Sequence, residues 1–176
     1  MYPFGRMLKE LVVHARAESL DFDGTHVSSH ICWPWDLDFM MELNNGRTLT
    51  LFDLGRIPLA KRAGLLAAVR KNGWGLTVAG SSVRYRRRVR MFDRVEMRSR
   101  SIGHDARFIY LEQSMWKRGE CTTHLLLRLA VTSKAGIVPP EQVMVALGHE
   151  PRPDDLPDWV KAWSDAEGQR PWPPVA

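Results

Sequence analysis

The spacing of apolar residues changes along this chain, and each change marks an element. Met7, Leu8, Leu11 and Val12 recur at helical spacing and predict a short amphipathic helix within residues 1–24, packed on the body or lying on a membrane surface. Residues 25–35 read as a strand, which runs into Trp-Pro-Trp-Asp-Leu-Asp-Phe-Met-Met-Glu-Leu-Asn-Asn-Gly-Arg at 33–47. A helix follows, with Asn44 or Asn45 as its N-cap and Gly64 as its stop. Leu49, Leu51, Phe52, Leu54, Ile57 and Leu59 cover most of its circumference, so it is buried on several sides. Pro58 predicts a kink, or a break and restart, near Gly55–Ile57. Beyond the Lys-Asn-Gly-Trp-Gly turn signal, four strands are expected at 76–85, 94–102, 108–116 and 122–132, with hairpin turns at 103–105 and 118–120. Val95, Met97 and Ser99 alternate with Glu96, Arg98 and Arg100, and Leu125, Leu127, Leu129 and Val131 share one face. Residues 138–148 form a short helix begun by prolines, and 150–159 are a proline-rich connector. Trp159, Val160 and Trp163 stripe a last helix before a tail.

This order, one strand, one long apolar helix and four antiparallel strands, belongs to the α+β class. A single sheet and a single apolar helix bury each other when the sheet wraps the helix. The sheet's other face and its edges then need covering, which favours a homo-oligomer.

The chain has 176 residues, enough for one domain with a sizeable core. No run of about 18 apolar residues is present to span a membrane. The N-terminal apolar stretch is short and interrupted by Lys9 and Glu10, so a signal peptide is not expected and a cytoplasmic location is. Cys32 and Cys121 then read as reduced thiols. A net charge of +5, mostly arginine, favours a polyanionic partner. His26 and His30 would stand about 13 Å apart on a strand, too far to share an ion. With neither a CxxC nor an HExxH sequence, no metal is expected, and no cofactor. Serine-hydrolase and Walker motifs are missing too.

The segment Trp35-Asp36-Leu37-Asp38-Phe39-Met40-Met41-Glu42-Leu43-Asn44-Asn45-Gly46-Arg47, followed by Asp53-Leu54-Gly55-Arg56 inside the helix, resembles the hot-dog-fold thioesterases. It is similar to the 4-hydroxybenzoyl-CoA thioesterase-like group and its thioesterase-like superfamily branch, from about Ser28 to Pro140. The resemblance implies a hot-dog fold at 25–148, an antiparallel sheet wrapped around one long central helix, to which the apolar spacing adds a short N-terminal helix and linker at 1–24. A proline-rich extension with a short helix would follow at 149–176. It also implies that Asp38 is the catalytic carboxylate, that amides around Asn45 and Gly46 polarise the thioester carbonyl, and that the site lies across a dimer interface. Glu42 stands where that branch has histidine.

Thioester hydrolysis needs an activated water or a nucleophile, and donors for the developing oxyanion. The first amides of a helix have no intrahelical acceptor, and the helix dipole favours negative charge there. Asp38 can serve as base or nucleophile; its plainer role is a cap or an ion pair. Phe39, Met40, Met41 and Leu43 would desolvate it, with Phe39 in contact with substrate. Asp36 reads as a structural partner, and Asn44 as a turn or binding residue. Glu42 reads as a second base or a rim charge. Asp53 and Arg56, three apart, read as a mutual pair. Alternation would send Arg84, Arg86, Arg88 and Arg90 to one side; Arg86, Arg87 and Arg88 form either a solvated face or a clamp for coenzyme A phosphates or an acidic carrier. The expected function is hydrolysis of an acyl-CoA or acyl-carrier-protein thioester by a homodimer or homotetramer. The alternatives are a non-catalytic acyl-thioester-binding module and a basic nucleic-acid-binding protein, the latter lacking an aromatic platform for bases.

Overall fold

The computed structural model describes residues 2–150 and 156–174. Most of the proline-rich connector, and the chain end at 175–176, lie outside the described residues. In chain order the elements are α1 (Phe4–Val13), β1 (His26–Ile31), a 3-10 turn (Pro34–Asp36), α2 (Asn45–Arg62), α3 (Leu65–Asn72), β2 (Gly75–Tyr85), β3 (Arg94–His104), β4 (Ile109–Lys117), β5 (Glu120–Ser133), β6 (Gly136–Val138), α4 (Pro140–Ala146) and α5 (Asp158–Gln169). The strands form one antiparallel sheet in the order β1-β3-β4-β5-β2, and β6 continues beside β5 where β4 ends. The sheet curls around α2, giving the hot-dog fold.

Asn44 caps α2 by accepting a 3.0 Å hydrogen bond from the Arg47 amide. Leu51, Phe52, Leu54 and Leu59 of α2 are buried against Val95, Met97, Leu125 and Leu127 of the sheet. At Gly55 the helix touches β3: a Cβ there would stand 2.5 Å from Ser99 Oγ and 2.7 Å from Met97 Sδ. Beside this contact, Gln113 Nε2 of β4 donates to the Phe52 carbonyl at 2.9 Å and to Ser99 Oγ at 2.7 Å. Of the kink, or break and restart, expected near Gly55–Ile57, the break does not occur. The helix runs unbroken to Arg62, because burial on several sides outweighs the one ladder bond to Leu54 that proline cannot make.

Four further expectations change. Leu8 and Val12 of α1 face solvent, and the buried positions are Met7 and Glu10. Glu10 is buried because it meets a polar layer: His14 at 3.4 Å and His30 at 3.8 Å, with Ser28 Oγ 2.8 Å from His30 Nε2. Helix α3 occupies a stretch where the apolar pattern predicts no element, bounded by Gly64 and Gly73, both left-handed. Helix α5 and Leu156 just before it cover part of the sheet's outer face, packing Leu156, Val160 and Trp163 onto Tyr110 and Leu126. That face of β3 stays charged and exposed through Glu96, Arg98 and Arg100. Lastly, the strand alternation expected through Arg90 stops at Tyr85, where the amides of Arg86 and Arg87 both turn onto the Thr122 carbonyl.

Candidate active site

The start of α2 is framed by two short segments that pair with each other. Residues 37–43 form a miniature hairpin, with Leu37 opposite Leu43 and the Asp38 amide donating to the Glu42 carbonyl at 2.8 Å. That hairpin leans on residues 89–90: the Leu43 amide donates to the Val89 carbonyl at 2.8 Å and Glu42 bridges to Arg90, while the Phe92 amide donates at 2.7 Å to the Cys32 carbonyl just after β1. Met41 takes a left-handed conformation at φ 60°, which tightens the tip.

Asp36 and Asp38 face opposite ways from this hairpin. Asp36 has no exposed surface. Its Oδ2 accepts from Arg6 at 2.7 Å and from the Trp33 amide at 3.0 Å, and its Oδ1 accepts from Arg47 Nε at 2.7 Å. Burial pushes its carboxyl up, but the bonds from Arg47, Trp33 and Arg6 outweigh this and hold it below the usual carboxylate range. It therefore ties α1, the loop and α2 together. Asp38 is half-buried, and its Oδ1 accepts from the amides of Met40 at 2.8 Å and Glu42 at 3.4 Å. The expected apolar shell is not built by this chain alone: Phe39 is 91 % exposed and Met40 and Met41 lie outside with it. At these positions the hairpin tip points away from the core.

The amides of Asn45 and Gly46 open α2 without intrahelical acceptors, on exposed residues. Two grooves flank this mouth. One, of about 220 Å³, is lined by Glu42, Asn45, Tyr85, Arg86, Arg87 and Arg88. There the Arg88 Nε stands 3.0 Å from Glu42 Oε1, Arg87 reaches Glu120 at 2.5 Å, and the Tyr85 hydroxyl donates to the Asn45 carbonyl at 3.4 Å. The arginine run and the helix mouth are thus in one groove, and Glu42 is a paired rim charge. The second groove, of about 420 Å³, is lined by Tyr2, Trp35, Leu37, Asn44, Arg47 and Thr50.

A separate apolar cavity of about 350 Å³ lies beside the later turns of α2, walled by Phe22, Ile57, Leu66, Leu76 and Leu129 among others. Asp53 and Arg56 form an ion pair on its wall. Burial pushes the Asp53 carboxyl up against the opposing effect of Arg56, and pushes Arg56 down. Sequence reasoning paired these two residues and gave them packing. It missed the cavity, and with it Tyr2, whose hydroxyl lies near Asp53. The available signal was a charged pair inside an otherwise apolar helix.

Comparison with known proteins gives a family and a fold. The model of the Thioesterase-like superfamily matches residues 32–164. Protein THEM6 of Xenopus laevis is 35% identical over 105 residues, covering 58% of this chain and 51% of that protein. Protein THEM6 of Drosophila melanogaster is 28% identical over 139 residues, covering 77% and 70%. The chain spans about half the length of the vertebrate relatives it matches. Among solved structures, the probable thioesterase YbaW from Escherichia coli superposes with a TM-score of 0.65 at 14% identity, covering 72% of this chain and 99% of that one. A 1,4-dihydroxy-2-naphthoyl-CoA thioesterase from Synechocystis gives 0.61 at 12% identity, covering 74% and 100%.

Proposed function

Because the chain belongs to the thioesterase-like superfamily, we propose that it hydrolyses acyl thioesters of coenzyme A or of an acyl-carrier protein, with Asp38 as the reacting carboxylate. The observation that carries this reading is the open mouth of α2 between two grooves, one of them lined by Arg86, Arg87 and Arg88. The thioester carbonyl sits against the amides of Asn45 and Gly46, which stabilise the oxyanion formed on attack. Asp38 either removes a proton from water as water adds to the carbonyl, or adds directly and forms an anhydride that water then opens. In both routes the C–S bond breaks and the thiolate leaves to be protonated. Arg86, Arg87 and Arg88 hold the phosphates of the leaving group.

The active unit in this reading is a homodimer. Strand β2 is an edge of 11 residues with no strand beside its outer side among the described residues, which a second chain can pair with; the exposed hairpin tip at Phe39, Met40 and Met41 is a further apolar surface for such a chain to cover. A tetramer built through the outer sheet face is disfavoured, because α5 already covers β4 and β5 while β3 is charged. Free-thiol release over a panel of acyl-CoAs tests the reading, and no turnover of any member refutes it. The second reading is an acyl-thioester-binding module without turnover. It is favoured by Glu42, which is held by Arg88, and by Asp38 Oδ1, which is occupied by amides of its own turn. Tight binding without thiol release selects it.

A further inference from the structure

Gly46, Asp53 and Ala60 of α2 fall seven residues apart, two turns each, and so lie on one side of the helix. Gly46 belongs to the mouth; Asp53 and Ala60 line the apolar cavity. Thr50, which lines the second groove, is a surface neighbour of Asp53 by its three-residue spacing. Tyr2 joins the two spaces: it lines the groove, and its hydroxyl lies near the Asp53 carboxylate on the cavity wall. The groove, the Tyr2–Asp53–Arg56 cluster and the cavity therefore follow one another along α2. The cluster lies about 10 Å along the helix axis from the Gly46 amide.

A cavity of about 350 Å³ holds roughly a dozen water-sized groups at about 30 Å³ each, and a methylene is close to that size. An all-methylene chain drawn past the cluster would strip the remaining water from an ion pair that is already poorly hydrated, with side chains 17–19% exposed. Nothing on such a chain replaces that water. A hydroxyl does replace it, since it donates to Asp53 and accepts from Arg56.

Building on the thioesterase reading above, we propose that the acyl group passes the Tyr2–Asp53–Arg56 cluster into this cavity, and that the cluster selects acyl groups bearing a hydroxyl at that depth over plain chains of equal length. Asp53, Arg56 and Tyr2 are then specificity residues, distinct from the carboxylate and amides at the mouth.

The test compares decanoyl-CoA with its ω-hydroxy analogue as substrates, and the two free acids as ligands by calorimetry on the full chain. The hydroxylated member of each pair should be favoured by about tenfold, the scale of one good hydrogen bond to a charged group. Arg56→Met with Asp53→Asn should bring both ratios to near one. Tyr2→Phe removes a single hydroxyl near the chain start and should reduce both ratios partway, which keeps the test decisive if the double variant does not fold. Equal use and equal binding of the pair by the unmodified protein overturn the proposal, as does binding of neither acid. Preferential binding of the hydroxy acid with no thiol release from this pair or any member of the acyl-CoA panel upholds the cavity assignment and refutes the thioesterase reading. Turnover without preference does the reverse.

Discussion

The two acids of the Asp36-Leu37-Asp38 segment are two residues apart and chemically alike, yet the fold gives them opposite environments. Asp36 points inward, has no exposed surface and receives hydrogen bonds from two arginines and an amide. Asp38 points outward, where Oδ1 is met only by amides of its own turn. The difference is geometric. In extended backbone successive side chains alternate, so two acids at i and i+2 would share a face; the 3-10 turn at Pro34–Asp36 ends between them and breaks that rule. A carboxylate whose lone pairs are filled by cations holds structure together, and one with an oxygen to spare is available for chemistry.

The largest expected effect tests the outward side. Asp38→Asn keeps shape and removes charge, so kcat should fall by about 10²–10⁴ with the melting temperature nearly unchanged. Near-normal turnover by the folded variant would break the comparison. Asp36→Asn should do the opposite. It leaves Arg6 and Arg47 facing an uncharged group in a buried place, at a cost of about 3 kcal/mol in stability, read by denaturant midpoint. A stable, inactive Asp36→Asn protein would exchange the two roles.

Acid sharpens the inward side. Burial, with His14 and Arg62 nearby, pushes His26 down to about 4. Burial, with Arg6, Lys9, His26 and His14 nearby, pushes His30 down to about 3. Glu10, 3.8 Å from His30, opposes the shift and is outweighed. Both imidazoles are neutral when folded, whereas the unfolded chain takes up protons near pH 6.5. Their contribution is therefore complete above that pH and is lost as pH falls toward 4 and 3. Between pH 7 and 5 each should lower stability by up to about 2 kcal/mol, and His26→Gln should flatten that slope in thermal melts.

Smaller effects belong to the rim. Changing Arg86, Arg87 and Arg88 together to Ser should raise KM for acyl-CoA by about tenfold and leave kcat nearly intact, the signature of lost ground-state binding. An unchanged KM would remove them from the phosphate site. Glu42→Gln breaks only a half-exposed pair with Arg88, so activity should stay within about tenfold of the parent. A loss equal to that at Asp38 would move the chemistry to Glu42.

What the chain determines by itself is the part set by local periodicity and by turn chemistry. The alternation from Val95 to Arg100 and the cap at Asn44 each follow from a few adjacent residues, so the central helix and its surrounding strands are legible without any coordinates. The motif from Trp35 to Arg47 likewise placed the family. Tertiary structure alone decided which residues meet across the sequence. Pro58 stays inside an unbroken helix because the sheet encloses it, and Phe39 is left outside because Met41 turns the hairpin tip away. Leu8 yields its buried place to Glu10 because the facing strand carries histidines. The cavity beside Asp53 and Arg56 exists only because α2, α3, strands β2 to β5 and Leu147 come together around it. A local pattern records how apolar a face is. The partner that covers that face, and the space left between them, depend on contacts from distant parts of the chain that no local window contains.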